Sequence, residues 1–210
     1  MPSSLQHFLL FCKPFENPRP ALFLDRDGVL IEDKHHLCEP DDVQLCAGAK
    51  KLLEQAKINY WPVVVVTNQS GVARGLFDWN DYESVSQHLL QLLGPEAQIS
   101  AIYANGHGPN APLSSWRKPS PGMLLAATKD LNIDLSRSIL VGDRLTDLQA
   151  GASAGLPFLI HVLNGHGKKE REAVESWAKQ NQLLANSPSF KLALINSLLD
   201  FPFEELQETT

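Results

Sequence analysis

A chain of 210 residues suits one domain and can bury a sizeable core. With 43% hydrophobic and 20% charged residues it has the make-up of a globular protein rather than a disordered one. A formal charge of −6 argues against general nucleic-acid binding, which needs a basic face, but leaves small anionic substrates open because they sense only local charge. Residues 1–19 read as an irregular arm, with Pro14, Pro18 and Pro20 blocking regular structure. ALFLD, from Ala21 to Asp25, predicts a short buried strand, and CAGAKKLLEQAKI a helix. WPVVVVTN is apolar on both faces, as a central parallel strand is, with Pro62 tolerable at its start. DWNDYESVSQHLLQLLG predicts a helix with an acidic first turn and Gly94 at its end, followed by a strand at ISAIYA. SPGMLLAATKDL predicts a helix capped by Ser120 with Pro121 in its first position. RSILVGD and LPFLIHV predict two more strands around a helix at LTDLQAGASAG. Residues 168–182 predict a charged helix, and FKLALINSLLD a last helix whose Leu192, Leu194, Ile195, Leu198 and Leu199 pack back on the core.

Strands alternate with helices from residue 21 to about 163, which predicts an α/β fold with a mainly parallel sheet. One domain over 1–210 is expected: an arm at 1–19, a core at 20–165 and a C-terminal helical extension at 166–210. Cys12, Cys38 and Cys46 form no CxxC and are odd in number, which suits a reducing compartment without disulfides. No apolar stretch approaches the ~20 residues of a membrane span, and MPSSLQHFLLFCKPF has no basic leader before its apolar patch. A cytoplasmic protein is therefore expected, without membrane or nucleic-acid partners, monomeric or weakly self-associating.

Ligands of such sheets bind beyond the carboxyl ends of the strands. The first strand ends in Asp25-Arg26-Asp27-Gly28, where alternation puts both carboxylates toward one site and Arg26 away from it. Two acids that close repel unless a cation lies between them or one holds a proton. The second strand ends in Thr67-Asn68-Gln69-Ser70-Gly71, a hydroxyl with loop amides suited to an oxyanion. Lys118, in RKPSPGM, precedes a helix start, where anions are favoured. Asp143 and Asp147, at the fourth strand end, are hard oxygen donors suited to Mg²⁺. Taken alone, each of these groups also fits a solvated turn, a helix cap or a surface charge. Together at one sheet edge they suit a phosphoryl group with a magnesium ion.

DRDGV, VTNQSG, RKPSPGM and VGDRLTD, in this order, resemble the haloacid dehalogenase (HAD) superfamily of phosphotransferases. LFLDRDGVLIED, VVVTNQSGVARGLF and VGDRLTDLQAGASAG are similar to the heptose bisphosphate phosphatases, close relatives of the histidinol-phosphate phosphatases, over residues 20–165. The resemblance implies a HAD-like, Rossmannoid three-layer α/β/α sandwich without a cap domain, and a Mg²⁺-dependent phosphatase working through an aspartyl phosphate on Asp25. Asp27 would be the acid and base, Thr67 would hold phosphoryl oxygens, and Lys118 would neutralise charge. Mg²⁺ would be held by Asp25, the backbone carbonyl of Asp27, Asp143 and Asp147. Asn68, Gln69, Ser70, Arg74 and Arg117 are candidate substrate contacts, Arg117 for a second phosphate. Heptose 1,7-bisphosphate is the first candidate among small phosphorylated metabolites. Histidinol phosphate, a broader range of metabolites, transfer to an acceptor other than water, or a non-catalytic binding module are the alternatives.

Two departures stand out from that resemblance. Many heptose phosphatases carry four zinc ligands before the RKP; here those positions read Asn105, His107, Ser114 and Trp116, so no zinc is expected. Ile31 replaces a small polar residue, which is expected to alter the pocket wall, with His35 and His36 beyond it.

Overall fold

The computed structural model describes residues 5–34, 36–112, 115–184 and 190–207. His35 and Ser114 therefore lie outside the described residues, as do the first four residues of the arm and 185–189 and 208–210 of the extension. The sheet has seven strands. They are β1 (Gln6–Leu10), β2 (Leu22–Leu24), β3 (Val63–Asn68), β4 (Ala101–Asn105), β5 (Ile139–Gly142), β6 (Phe158–Val162) and β7 (Lys191–Ile195). Their order is β1-β4-β3-β2-β5-β6-β7, all pairs parallel except β1 with β4. The chain runs outward from β2 to one side, returns, and runs outward through β5 to the other. The switch point lies between β2 and β5, where an open α/β sheet has its crevice.

Helices cover both faces: α1 (Ala49–Ile58), α2 (Trp79–Leu93), α3 (Gly122–Leu131), α4 (Leu145–Ser153) and α5 (Gly167–Leu184). The period of two in each strand feeds two cores. Leu22, Leu24, Val63, Val65, Ile102 and Val141 meet α1 and α2 through Leu52, Leu53, Val85 and Leu89. Phe23, Val64, Val66, Tyr103, Leu140 and Leu159 meet α3, α4 and α5 through Leu124, Leu148 and Val174. Asp78 caps α2, accepting from the amides of Asn80 and Asp81, while Asp81 returns the bond to the Asp78 amide.

Four expectations need correction. The arm is not wholly irregular: Gln6–Leu10 is the antiparallel edge strand β1, its residues alternating between exposed and half-buried, and Pro14 and Pro18 act only after it ends. FKLALI is not helical; Lys191–Ile195 pairs parallel with β6, and Leu198–Asp200 makes a single 3-10 turn. The extension is thus helix, strand and turns, because pairing with an open sheet edge satisfies a short apolar run better than one helical turn does. α3 starts at Gly122, with Pro121 at the cap position and the Ser120 hydroxyl accepting only from the Gly122 amide, at 3.3 Å. Ile31 is fully buried in the first core rather than exposed beside the site.

Candidate active site

Register builds the site. Leu24 pairs with Val65 on one side and Val141 on the other, so Asp25 emerges between Thr67 and Asp143 at the ends of the three central strands. Lys118 reaches in from the loop before α3. Its ammonium is buried, donates to the carbonyl of Val66 (2.8 Å) and forms ion pairs with Asp25 Oδ1 (2.9 Å) and Asp147 Oδ1 (2.7 Å). Asp25 Oδ1 also accepts the Arg26 amide at 2.8 Å, so Oδ2 is the oxygen left for chemistry.

Asp25, Asp143 and Asp147 offer oxygens within 4.8 Å of one another. Asp143 Oδ2 accepts the His166 amide (2.7 Å), while the buried Oδ1 has no hydrogen-bond partner. Burial, and then the charges of Asp147 and Asp25, hold Asp143 well above the usual carboxylate range. Asp25 is raised by burial, against the pull of Lys118, with Asp147 and Asp27 adding to the rise. Burial opposes the charge of Lys118, but Asp147 and Asp25 raise it overall. Three buried carboxylates facing one ammonium are short of positive charge, and hard oxygens around an orphaned carboxylate oxygen fit a divalent cation such as Mg²⁺.

Backbone packing against the carboxylates is tight. Gly28 has φ +83°, and a Cβ there would stand 2.5 Å from Asp143 Oδ2. Gly28→Ala is expected to cost on the order of 3 kcal/mol from left-handed strain and displacement of Asp143. Urea unfolding measures this; a loss below ~1 kcal/mol would contradict the packing described.

The Asp-Arg-Asp motif does not hold as read from alternation alone. Asp25 joins the acidic cluster, but the Asp27 carboxylate turns to Arg26, which does not point away from the site. Arg26 is buried, lies 4.8 Å from the Tyr82 ring centroid, and doubles back onto Asp27 through Nε to Oδ2 (3.1 Å) and Nη2 to Oδ1 (3.0 Å). Burial would raise Asp27, but the charge and hydrogen bonds of Arg26 and the Gln69 amide hold it below the usual range.

The expected substrate contacts divide. Asn68 clasps the lysine loop, donating to the Lys118 carbonyl and accepting the Lys118 amide. Gln69 is buried against Asp27, Thr67 and Arg26. Ser70 accepts from Arg74, whose guanidinium also meets His36 at 3.0 Å. Arg117 donates to the His107 carbonyl (3.0 Å). Burial, then the charges of Arg144 and Arg74, lower Arg117. Arg144 was not predicted; it follows Asp143 directly, and its guanidinium is 3.8 Å from Asp33, itself 2.9 Å from His166.

His161 was also missed. It is the penultimate residue of β6, a polar residue inside a buried strand. Arg171 Nε donates to its Nδ1 (2.9 Å), so Nε2 carries the proton and donates to the Asp143 carbonyl (3.0 Å). Burial lowers its pKa, consistent with a neutral ring that anchors the Asp143 backbone. In the 104–117 segment, His107 Nδ1 meets Asn105 Oδ1 (2.9 Å), and Trp116 packs edge-on to Tyr103 at 5.6 Å. A separate cavity of about 380 Å³ opens at the opposite strand ends, among Trp61, Ser138, Phe158 and Lys191, away from the acidic cluster.

The HAD-hydrolase-like family model matches residues 115–187, the span from the lysine loop through Asp143 and Asp147 into α5. Fold and site together define a phosphatase of the HAD class. A D-glycero-β-D-manno-heptose-1,7-bisphosphate 7-phosphatase of Photorhabdus laumondii is 34% identical over 87% of this chain and 93% of its own. A protein of the same name from Mesorhizobium japonicum is 44% identical over 144 residues, 65% of this chain and 66% of its own. A D-glycero-α-D-manno-heptose-1,7-bisphosphate 7-phosphatase of Campylobacter jejuni is 34% identical over 78% of this chain and 93% of its own. The D,D-heptose 1,7-bisphosphate phosphatase of B. bronchiseptica, solved with magnesium and phosphate, superposes with a TM-score of 0.73 at 30% identity, covering 89% of this chain and 97% of that one. The chain belongs to the heptose-1,7-bisphosphate 7-phosphatase family of HAD-like hydrolases. No helix among the described residues is long and apolar enough to cross a membrane.

Proposed function

We propose that this chain removes the 7-phosphate of D-glycero-D-manno-heptose 1,7-bisphosphate with Mg²⁺ as cofactor. The observation that carries this reading is a buried acid–lysine cluster at the switch point, with Arg117 and Arg144 adjoining it in sequence next to Lys118 and Asp143. The cluster suits one phosphoryl group, and the arginines suit a second. Asp25, Asp143, Asp147 and the backbone carbonyl of Asp27 would hold Mg²⁺. When bound, the ion would offset the phosphoryl charge that repels an anionic nucleophile.

This chain's residues supply the rest. Asp25 Oδ2 attacks phosphorus, and the electron pair of the breaking P–O bond goes to the sugar oxygen, which takes a proton that Asp27 has picked up from water once the anionic phosphoryl group beside it raises its proton affinity. Water then attacks phosphorus, Asp27 takes its proton, and the bond to Asp25 breaks to release phosphate and restore the carboxylate. The Thr67 hydroxyl and Lys118 steady the equatorial oxygens. Arg117, Arg144 and Arg74 would take the 1-phosphate, for which a guanidinium fork is suited. We assign no zinc to residues 104–117: of the four positions concerned, Asn105, His107, Ser114 and Trp116, only His107 offers a nitrogen or sulfur ligand, and it is hydrogen-bonded to Asn105.

Arg117→Ala and Arg144→Ala test the assignment of the two phosphates. Each is expected to lower kcat/KM on heptose 1,7-bisphosphate by ~10- to 10²-fold, the worth of a charge-assisted hydrogen bond, and on heptose 7-phosphate by under ~3-fold. Equal losses on both substrates would remove these arginines from the account.

A further inference from the structure

We infer that Gln69 is a positioning residue rather than a substrate contact: it fixes the direction of the Thr67 hydroxyl and the orientation of the Asp27 carboxylate together. The inference rests on the phosphatase reading above. Gln69 is 5% exposed. Its Nε2 donates to Asp27 Oδ2 and to Thr67 Oγ1, each at 2.8 Å, and its Oε1 accepts Arg26 Nη2 at 3.2 Å. Its own amide is spent on the Asn105 carbonyl at 2.7 Å. Both side-chain hydrogens are therefore committed to protein acceptors, and no donor remains for a phosphate.

The direction of the amide follows from its neighbours. Turning it over would set Oε1 against a carboxylate oxygen and Nε2 against a guanidinium nitrogen, and both contacts repel. Because Nε2 can only donate, Thr67 Oγ1 accepts here, and the hydroxyl's own hydrogen is left free to donate elsewhere. Thr67 is thereby preset as a donor to a phosphoryl oxygen. Asp27 is preset in the same way. Oδ2 receives two donors, Arg26 Nε and Gln69 Nε2, so both its lone pairs are engaged, whereas Oδ1 receives Arg26 Nη2 alone. Oδ1 is then the oxygen that passes a proton to the leaving oxygen and later takes one from water. One amide ties the group that steadies the phosphoryl oxygens to the group that handles the proton, so both are aimed before substrate arrives.

Gln69→Met keeps the length of the side chain and removes both donors. The Mg²⁺-loaded protein is followed in single turnovers on two probes: heptose 1,7-bisphosphate, whose alkoxide needs a proton to leave, and 2,4-dinitrophenyl phosphate, whose phenolate does not. The rate of leaving-group release is expected to fall by ~10²-fold or more on the sugar ester and by under ~10-fold on the aryl ester, because the aryl ester loses only the alignment of Thr67 whereas the sugar ester also loses the proton step. Arg26→Lys keeps the charge but loses the fork on Asp27; it carries the same expectation and serves if Gln69→Met does not fold. Equal losses on both probes in a folded variant would overturn the inference. So would a raised KM with kcat unchanged, the mark of a substrate contact. A wild-type protein that released neither leaving group would overturn the phosphatase reading itself, an outcome separate from any variant.

Discussion

Asp25→Asn is expected to lower kcat by at least ~10⁴-fold on any phosphate ester, since an amide oxygen cannot replace the attacking carboxylate. Stability should hold. Lys118 keeps Asp147 and the Val66 carbonyl, and the amide oxygen can still accept from Lys118 and from the Arg26 amide. Ionised Asp25 is itself a liability in the metal-free protein. Burial raises its pKa from 3.8 to about 6, with Asp147 and Asp27 adding to the rise and Lys118 opposing it. The native state thus keeps a proton that the unfolded chain gives up, so this group's contribution to stability declines as pH rises from about 4 to about 6. In Asp25→Asn that part of the pH dependence should vanish, and chelated wild type and variant should differ most above pH 6. Thermal unfolding with chelator across this range measures it. A variant that retains more than ~1% of the wild-type kcat would remove Asp25 as nucleophile.

Lys118→Met is expected to be the most destabilising single change near the site. The ammonium is the buried cation shared by Asp25 and Asp147, and deleting it leaves two buried carboxylates facing each other with Asp143 beside them. Breaking a buried pair from one side costs ~3–5 kcal/mol, because the remaining charge is uncompensated. Part of this loss should return on adding Mg²⁺, which supplies positive charge to the same acids, and part on lowering pH, which neutralises them. Activity should fall by ~10³-fold even where the variant folds, the usual scale for removing a charged stabiliser of a phosphoryl group. Urea unfolding with Mg²⁺ and with chelator separates the two effects. A loss under ~1 kcal/mol in chelator would mean that the acids are already protonated and that the lysine is not their counter-charge.

The catalytic edge was legible because its chemistry is local. Each apolar run that ends in an acid or hydroxyl marks a strand meeting solvent, and the order Asp25, Thr67, Lys118, Asp143 needs no distance information. What escaped needed contacts across the chain. Gln69 reads as one more candidate substrate contact until it is seen against Asp27, 42 positions away, and Arg26, 43 away. Arg26 follows strand alternation only if its side chain extends; the fork onto Asp27 and the Tyr82 face bend it back. Arg144 reads as part of a helix start until its charge is seen to act on Arg117, 27 positions before it. β1 and β7 failed for a different reason. HFLLF and KLALI are short enough to fit either period, and what decides them is an open sheet edge on β4 or β6, which no window of sequence contains. Ile31 shows the reverse error: next to a site in sequence, it points into the core.

The measurement that bears most directly on the account is kcat/KM for phosphate release from a matched panel. It holds both anomers of heptose 1,7-bisphosphate, histidinol phosphate and several common sugar monophosphates, each with Mg²⁺ and with chelator. The account predicts one heptose anomer at least ~10²-fold above every monophosphate, about 2.7 kcal/mol of discrimination, with all turnover lost in chelator. A flat profile, or one led by histidinol phosphate, would contradict it: the acid–lysine cluster would keep its chemistry, and the arginines would not be reading a second phosphate.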